Sequence, residues 1–282
     1  MTQAAIDDII QRALAEDAPW GDVTSEAFLP ATTRATASLV SREPGILSGI
    51  DVFARVFELV DAAIAVDLLA ADGDRVEPGA VLATVSGSAR SVLRAERIAL
   101  NLSQRMSGIA TATARYVEAA AGTRARIVDT RKTVPGLRIL DRQAVRDGGG
   151  HNHRYSLSDA VLAKDNHLAV LAAEGVSLSD AIRLARARIG HTTTLEVEVD
   201  RIDQIEPVVS AGVDTIMLDN FSLDDLRVGV AIVAGRALVE ASGGVNLATV
   251  ADIAATGVDV ISVGALTHSV IALDLGLDIE VV

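Results

Sequence analysis

The sequence predicts an α/β plus α+β protein, with an open, incomplete α/β barrel in its C-terminal part and a small β-sandwich before it. Three observations carry this. After Gly122, short apolar runs alternate with helix-like segments, the pattern of parallel strands buried on both faces. Six such runs occur, fewer than the eight of a closed barrel. Before Ser91 the chain reads instead as short strands punctuated by glycine and proline.

Taken in order, residues 4–16 place Ile6, Ile9, Ile10 and Leu14 on one helical face. The polar stretch EDAPWGDVTSEAFLP follows, with Pro19, Gly21 and Pro30 as breakers. From Arg34 to Ser91 the pattern turns to short strands, in ATASLVSREPGIL and then AVDLLAADGDRVEPGAVLATVSGSA. Within them Gly73, Val76, Gly79 and Leu82 make a pattern similar to a lipoyl- or biotinyl-type hairpin, but no lysine is there to carry a cofactor. Two helices, Val92–Met106 and Thr111–Ala121, are expected to meet at Gly108. The six later strands are ARIVDT, DAVLAK, TTLEVEV, DTIMLD, ALVEAS and VDVISVG. Between most of them lie SLSDAIRLARARI, IDQIEPVVSAG, SLDDLRVGVAIVAG and NLATVADIAATG, each with helical periodicity.

Composition narrows the function. Half the residues are hydrophobic and 22% are charged, which supports a substantial core. Aromatics are 2%, so the core is aliphatic and a base-stacking surface is not expected. The net charge of −13 argues against non-specific binding to nucleic acid or to an anionic membrane. The lack of cysteine excludes disulfides, Cys-ligated zinc, iron–sulfur clusters and thiol nucleophiles. No apolar run reaches membrane-spanning length, and the N-terminal residues are too acidic and polar for a secretion signal, so a cytoplasmic protein is expected.

Against this acidic background, Arg124–His167 holds nine Lys/Arg and five Asp/Glu. The chain's two lysines, Lys132 and Lys164, both fall there, among 23 arginines elsewhere and nearby. A GC-rich genome accounts for the arginines. A lysine that persists in such a sequence marks a place for a compact ammonium rather than a planar fork.

Each strand runs into a polar or glycine cluster: Asp129–Lys132, Lys164–His167, Glu196 with Glu198, Asp219–Asn220, Ser242–Gly244 and Gly264–Ala265. One such end is commonly a helix cap or a turn. Six in register predict an active site at the C-terminal ends of the strands. Arg131, Lys132, His153, Arg154 and Lys164 suit a polyanion, with arginine forks for carboxylate or phosphate. Ser242-Gly243-Gly244, ahead of the last helix, offers backbone N–H groups and a helix N-terminus to a phosphate. Glu198 and Asp219 could hold sugar hydroxyls directly, or a Mg²⁺ bridging to phosphate oxygens. Glu198 is preferred to Glu196 because it lies nearer the strand end. Glu196 or Glu198 could also simply pair with a pocket cation. His151, His153 and His167 could form a His₃ metal site, but the surrounding arginines oppose a cation. His151 reads as loop surface, and His153 with Arg154 as facing an anion.

The stretches AERIALNLSQRMSGIAT, GTRARIVDTRKTVPGLR, AVRDGGGHNHRYSLSDAVLAKDNH, LEVEVD, IMLDN, EASGGV and VGALTHS, with EDAPWGDVTSE upstream, closely resemble the quinolinate phosphoribosyltransferase family. DTRKT-PGLR combined with GGG-x-NHR and KDNH is highly specific. The resemblance implies an open-faced β-sandwich domain over residues 1–115, joined by the tail 270–282, and a catalytic open barrel over 116–269. It implies transfer of phosphoribosyl from 5-phosphoribosyl 1-pyrophosphate to quinolinate with decarboxylation, with Mg²⁺ and no organic cofactor, in NAD biosynthesis. It implies a homodimer, open to assembly as a hexamer, in which Arg97 reaches the partner's site. Arg131, His153, Arg154 and Lys164 would hold the quinolinate carboxylates. Lys132, Glu198, Asp219, Ser242, Gly243, Gly264 and His268 would serve the phosphoribosyl donor. Arg142-Gln143, Ser156 and Ala163 depart from the family pattern and bear on loop packing and substrate affinity rather than on the reaction. An enzyme of the same fold acting on another pyridine or azole acid, and a non-catalytic anion-binding protein, are the competing readings.

Overall fold

The computed structural model describes residues 3–164, 166–167, 170 and 173–281. The first elements are α1 (Gln3–Asp17), α2 (Val23–Phe28), β1 (Arg34–Ser41), β2 (Gly45–Ile46), α3 (Ile50–Val60), β3 (Ala65–Leu68), β4 (Arg75–Val76), β5 (Val81–Ser88) and α4 (Ala89–Ala119). Then come β6 (Arg126–Val128), α5 (Arg138–Asp147), β7 (Val161–Ala163), α6 (Leu178–Arg188), β8 (Leu195–Val199), α7 (Ile205–Ser210), β9 (Thr215–Asp219) and α8 (Leu223–Val233). The chain finishes with β10 (Leu238–Ser242), α9 (Val250–Ala254), β11 (Val260–Ser262), α10 (Ala265–His268) and β12 (Leu275–Val281).

Contacts divide the chain into two units. One comprises Met1–Ala114, Thr133–Gly149 and Leu266–Val282, the other Arg115–Lys132 and Gly150–Ala265. In the first, a four-stranded antiparallel sheet has the order β12-β1-β5-β3. The alternating buried positions of β5 and the wholly buried Phe53 and Phe57 of α3 build its core. The segment Thr133–Gly149 belongs here although it lies between β6 and β7 in sequence. Arg105 of α4 holds the fully buried Asp141 of α5 through two bonds of 2.9 and 2.8 Å, and Ser48 donates to Asp147 at 2.6 Å.

Three features differ from the sequence expectation. The stretch Arg34–Ser91, read as short strands, holds the helix α3, whose buried Ile50, Phe53, Val56 and Phe57 recur at helical spacing. The stretch before β1 holds a short helix, α2, because Asp22 accepts the N–H groups of Thr24 and Ser25 and so caps it. And α4 is one helix of 31 residues, not two meeting at Gly108. Gly108 is there for close approach: a Cβ would lie 2.2 Å from the Ile271 carbonyl oxygen.

In the second unit six parallel strands form one sheet, in the order β6-β11-β10-β9-β8-β7. First and last strands in sequence are neighbours, while β6 and β7 are the two edges, so the barrel opens between them. Strand interiors are nearly all buried, as for β8, β9 and β10, because helices cover the outer face. Ser177 and Ser222 cap α6 and α8 by accepting the N–H groups of Asp180 and Asp225. Among the described residues, no helix is long and apolar enough to cross a membrane.

Candidate active site

Along β8, β9 and β10 the side chains alternate between the two faces, and register aligns them across the sheet. Glu198, Met217 and Glu240 form one row, and Asp219 and Ser242 form the next toward the C-terminal ends. These inward positions are the floor of a cavity of about 400 Å³ within the second unit. Thr130, Arg131 and Lys132 enter it after β6, Lys164 after β7, and Ser262 from β11.

The remaining wall comes from the open edge. His151 makes a parallel bridge to Val128, donating its N–H to the Ile127 carbonyl at 2.8 Å. Its side chain is exposed, but its backbone extends the sheet beyond β6 rather than lying in a loop. The next two residues are pinned by Asp129, which is fully buried. Its carboxylate accepts the Asn152 side-chain amide and the His153 N–H, both at 2.7 Å. His153 and Arg154 are thereby brought to the cavity.

Eight of the twelve residues expected at the site line this one cavity: Arg131, Lys132, His153, Arg154, Lys164, Glu198, Asp219 and Ser242. Gly243 follows β10 directly and has φ +90°; a Cβ there would lie 2.2 Å from Asn220 Oδ1, so only glycine fits. Gly264 follows β11. The helix expected to present its N-terminus beside the glycines begins only at Val250, because Asn246–Thr249 close a turn first. The backbone of the bend itself, not a helix end, is what Ser242–Gly244 offers. Arg97, exposed on α4, and His268, exposed in α10 with Nδ1 2.7 Å from Ser269 Oγ, belong to the first unit. Asp165, within the Lys164–His167 motif, lies outside the described residues.

Charge at the site is paired, not merely accumulated. Lys164 Nζ bonds Glu198 Oε2. Burial and the neighbouring Arg131 charge lower the Arg154 pKa, with Glu196 opposing them. Below lies a group that sequence reasoning did not assemble. His153 Nε2 is 3.2 Å from Glu196 Oε2 and 3.5 Å from Glu240 Oε2, and both glutamates are buried. Burial alone would lower the imidazole pKa, but the hydrogen bonds and charge of the two carboxylates outweigh it and raise it. Burial likewise raises Glu196. One proton retained by the group answers both shifts, and because Nδ1 accepts the Arg154 N–H it is held between Nε2 and the two carboxylates. Glu240 had a legible signal, a lone acid inside an otherwise apolar buried strand. The sequence leaves either Glu196 or Glu198 open to pairing with a pocket cation, and both find partners, Glu196 in His153 and Glu198 in Lys164.

These three side chains are the group of acidic and histidine donors, among the described residues, close enough to hold a metal. His153 Nδ1, however, accepts the Arg154 N–H at 2.7 Å. The ring proton then belongs on Nε2, which leaves no lone pair for a cation there. Glu198 and Asp219 are hard oxygen donors on adjacent strands at the cavity. They fit Mg²⁺ shared with a substrate polyphosphate, the usual arrangement of one or two carboxylates.

Residues 22–107 match the family described as quinolinate phosphoribosyl transferase, N-terminal domain, and residues 109–278 its C-terminal domain. A nicotinate-nucleotide pyrophosphorylase [carboxylating] of Mycobacterium leprae is 46% identical over 278 residues, spanning 96% of each chain. The solved structure of NadC from Streptococcus pyogenes superposes with a TM-score of 0.95 at 41% identity, over 100% of this chain and 99% of that one. That of the nicotinate-nucleotide pyrophosphorylase from Francisella tularensis gives 0.94 at 36%, over 99% and 98%.

Proposed function

The chain belongs to the quinolinate phosphoribosyltransferase family, and from that premise we propose how its residues divide the work. The protein is a pentosyltransferase of NAD biosynthesis. It moves phosphoribosyl from 5-phosphoribosyl 1-pyrophosphate to quinolinate and releases CO₂ and pyrophosphate, leaving nicotinate mononucleotide. The observation that carries the assignment of residues is the meeting of Arg131, Arg154, Lys132 and Lys164 with Glu198 and Asp219 in one cavity.

Arg131 and Arg154, with His153 and Lys164, hold the two carboxylates so that the pyridine nitrogen faces C1 of the ribose. That nitrogen has its lone pair at neutral pH and needs no general base. As it bonds to C1, the C1–O bond breaks and its electrons leave with pyrophosphate. Lys132 and the backbone N–H groups of Ser242–Gly244 stabilise that leaving charge, with Gly264 and His268 also serving the donor. Mg²⁺ held by Glu198 and Asp219 would supply further charge neutralisation at the pyrophosphate. The same two carboxylates fix the ribose hydroxyls and balance positive charge on the sugar. Ribosylation makes the ring cationic, so it accepts the electrons of the breaking C2–carboxylate bond. CO₂ leaves and C2 takes a proton, without an organic cofactor. Lys164 orients the carboxylate that departs.

The reading includes a cytoplasmic homodimer in which Arg97 serves the partner's site. Arg97 is exposed, and the exposure of Trp20 and Phe28, 91% and 82%, supports an apolar face available to a second copy. The test mixes the protein with quinolinate, phosphoribosyl pyrophosphate and Mg²⁺, and measures nicotinate mononucleotide and CO₂ together. Equal amounts are expected. Neither product, with quinolinate still raising the melting temperature, would make the protein a binder or an enzyme for a relative of quinolinate.

A further inference from the structure

We propose that Glu240, together with Glu196, is a positioning residue for the carboxylate clamp: it fixes the His153 ring and, through that ring, the backbone of Arg154. The proposal rests on the preceding reading of the cavity as a quinolinate site.

The His153 ring is held at both nitrogens. Nε2 points to the two carboxylates, and Nδ1 takes the Arg154 N–H at 2.7 Å. His153's own N–H is bound by Asp129. The ring is therefore a strut between the floor of the barrel and the first backbone atom of Arg154. The guanidinium is tied in turn, since Arg154 Nη1 donates to the Ala160 carbonyl at 2.9 Å. A carboxylate clamp needs its fork held in one orientation before the substrate arrives, and a flexible arginine loses that orientation without support.

The floor is built from two strands that do not touch. Glu196 comes from β8 and Glu240 from β10, on either side of β9. Both are at least nine-tenths buried, and Oε1 of each has no hydrogen-bond partner. Two carboxylates in an apolar sheet are costly, and an apolar pair would serve stability as well or better. The carboxylate of Glu196 instead acts on Arg154, where it offsets the repulsion from Arg131. A metal at the same three residues is disfavoured because Nδ1 is occupied as an acceptor.

The test is steady-state kinetics on Glu240→Leu and Glu240→Gln, with melting temperatures. Leucine matches the volume and removes the acceptor; glutamine keeps an oxygen for the Nε2–H. In Glu240→Leu the KM for quinolinate should rise about tenfold, the scale of one charge-assisted hydrogen bond. Its kcat and its KM for phosphoribosyl pyrophosphate should stay within about twofold, the sign of lost ground-state positioning. Glu240→Gln should recover most of the loss. In a His153→Ala background, Glu240→Leu should add nothing further. An unchanged quinolinate KM, an equal loss for both substrates, or the same rise in both backgrounds would overturn the proposal. If Glu240→Leu does not fold, Glu196→Leu carries the same expectation from the other strand, with Glu196→Gln as its conservative control. A wild-type protein that makes no nicotinate mononucleotide overturns the functional reading; an active wild type with indifferent variants overturns only the positioning role.

Discussion

Lys164 sits at the end of β7 with its ammonium on Glu198, half exposed to the cavity. A compact charge there can turn toward a bound carboxylate while the carboxylate beside it keeps it in place. Lys164→Ala should lower kcat/KM about a hundredfold or more while leaving the melting temperature close to wild type; near-normal turnover would defeat the assignment. A second titratable residue speaks to stability instead. Burial pushes Asp72 up to about 6, helped by the charges of Asp147 and Asp51, although the N–H groups of Ile50 and Gly49 favour its ionised form. An acid whose pKa is raised by folding binds its proton more tightly when folded. Stability therefore falls as pH rises from the unfolded value of about 4 through 6. Compared with wild type, Asp72→Asn should lose that part of the pH dependence. Equal pH slopes for the two proteins between pH 4 and 6.5 would refute it. At this scale most of the cavity lining was legible, because six polar or glycine-bearing strand ends in register are more than capping and turns require. The pairing of Glu196 and Glu240 was not, since it joins residues 44 positions apart across a strand.

Among the elements, α4 shows how one residue type carries two meanings. Glycine within a helical pattern signals a break, but it also permits another backbone to come close. At Gly108 the second meaning holds, with the Ile271 carbonyl and Ala272 Cα both within 3 Å of a built Cβ. Alanine would gain about 1 kcal/mol of helix propensity. Overpacking against backbone atoms, which cannot rotate away, costs about 1–3 kcal/mol and should dominate. Gly108→Ala should lower stability by up to about 2 kcal/mol in denaturant unfolding; a gain would show that the segment around Ile271 yields. The strands were read more securely than the helices because a parallel strand must be apolar on both faces until it leaves the sheet. The helix after β10 was read too early. Its first polar residues, from Asn246, form turns through Thr249, which accepts and returns bonds with Asn246.

For the whole molecule, a cavity that gathers Arg131, Lys132, Arg154 and Lys164 is stabilised by whatever anion neutralises it. Quinolinate or a phthalate-type dicarboxylate should raise the melting temperature, by linkage equivalent to about 2.7 kcal/mol at a hundredfold excess over Kd. No shift at millimolar ligand would count against the clamp. The amino-acid sequence by itself determined that there are six parallel strands, that their C-terminal ends carry the cations, acids and glycines of one site, and which family the pattern resembles. Those properties are local: strand periodicity, the side-chain chemistry after each strand, and the order of motifs. Tertiary structure alone decided that β6 lies beside β11 and the barrel opens toward β7, that Thr133–Gly149 packs with the first unit, that α4 runs unbroken past Gly108, and that Glu196, Glu240 and His153 meet beneath the clamp. Each of these depends on which distant surfaces come into contact. A glycine or a buried acid states only that some contact is needed; the partner is chosen when the whole chain packs.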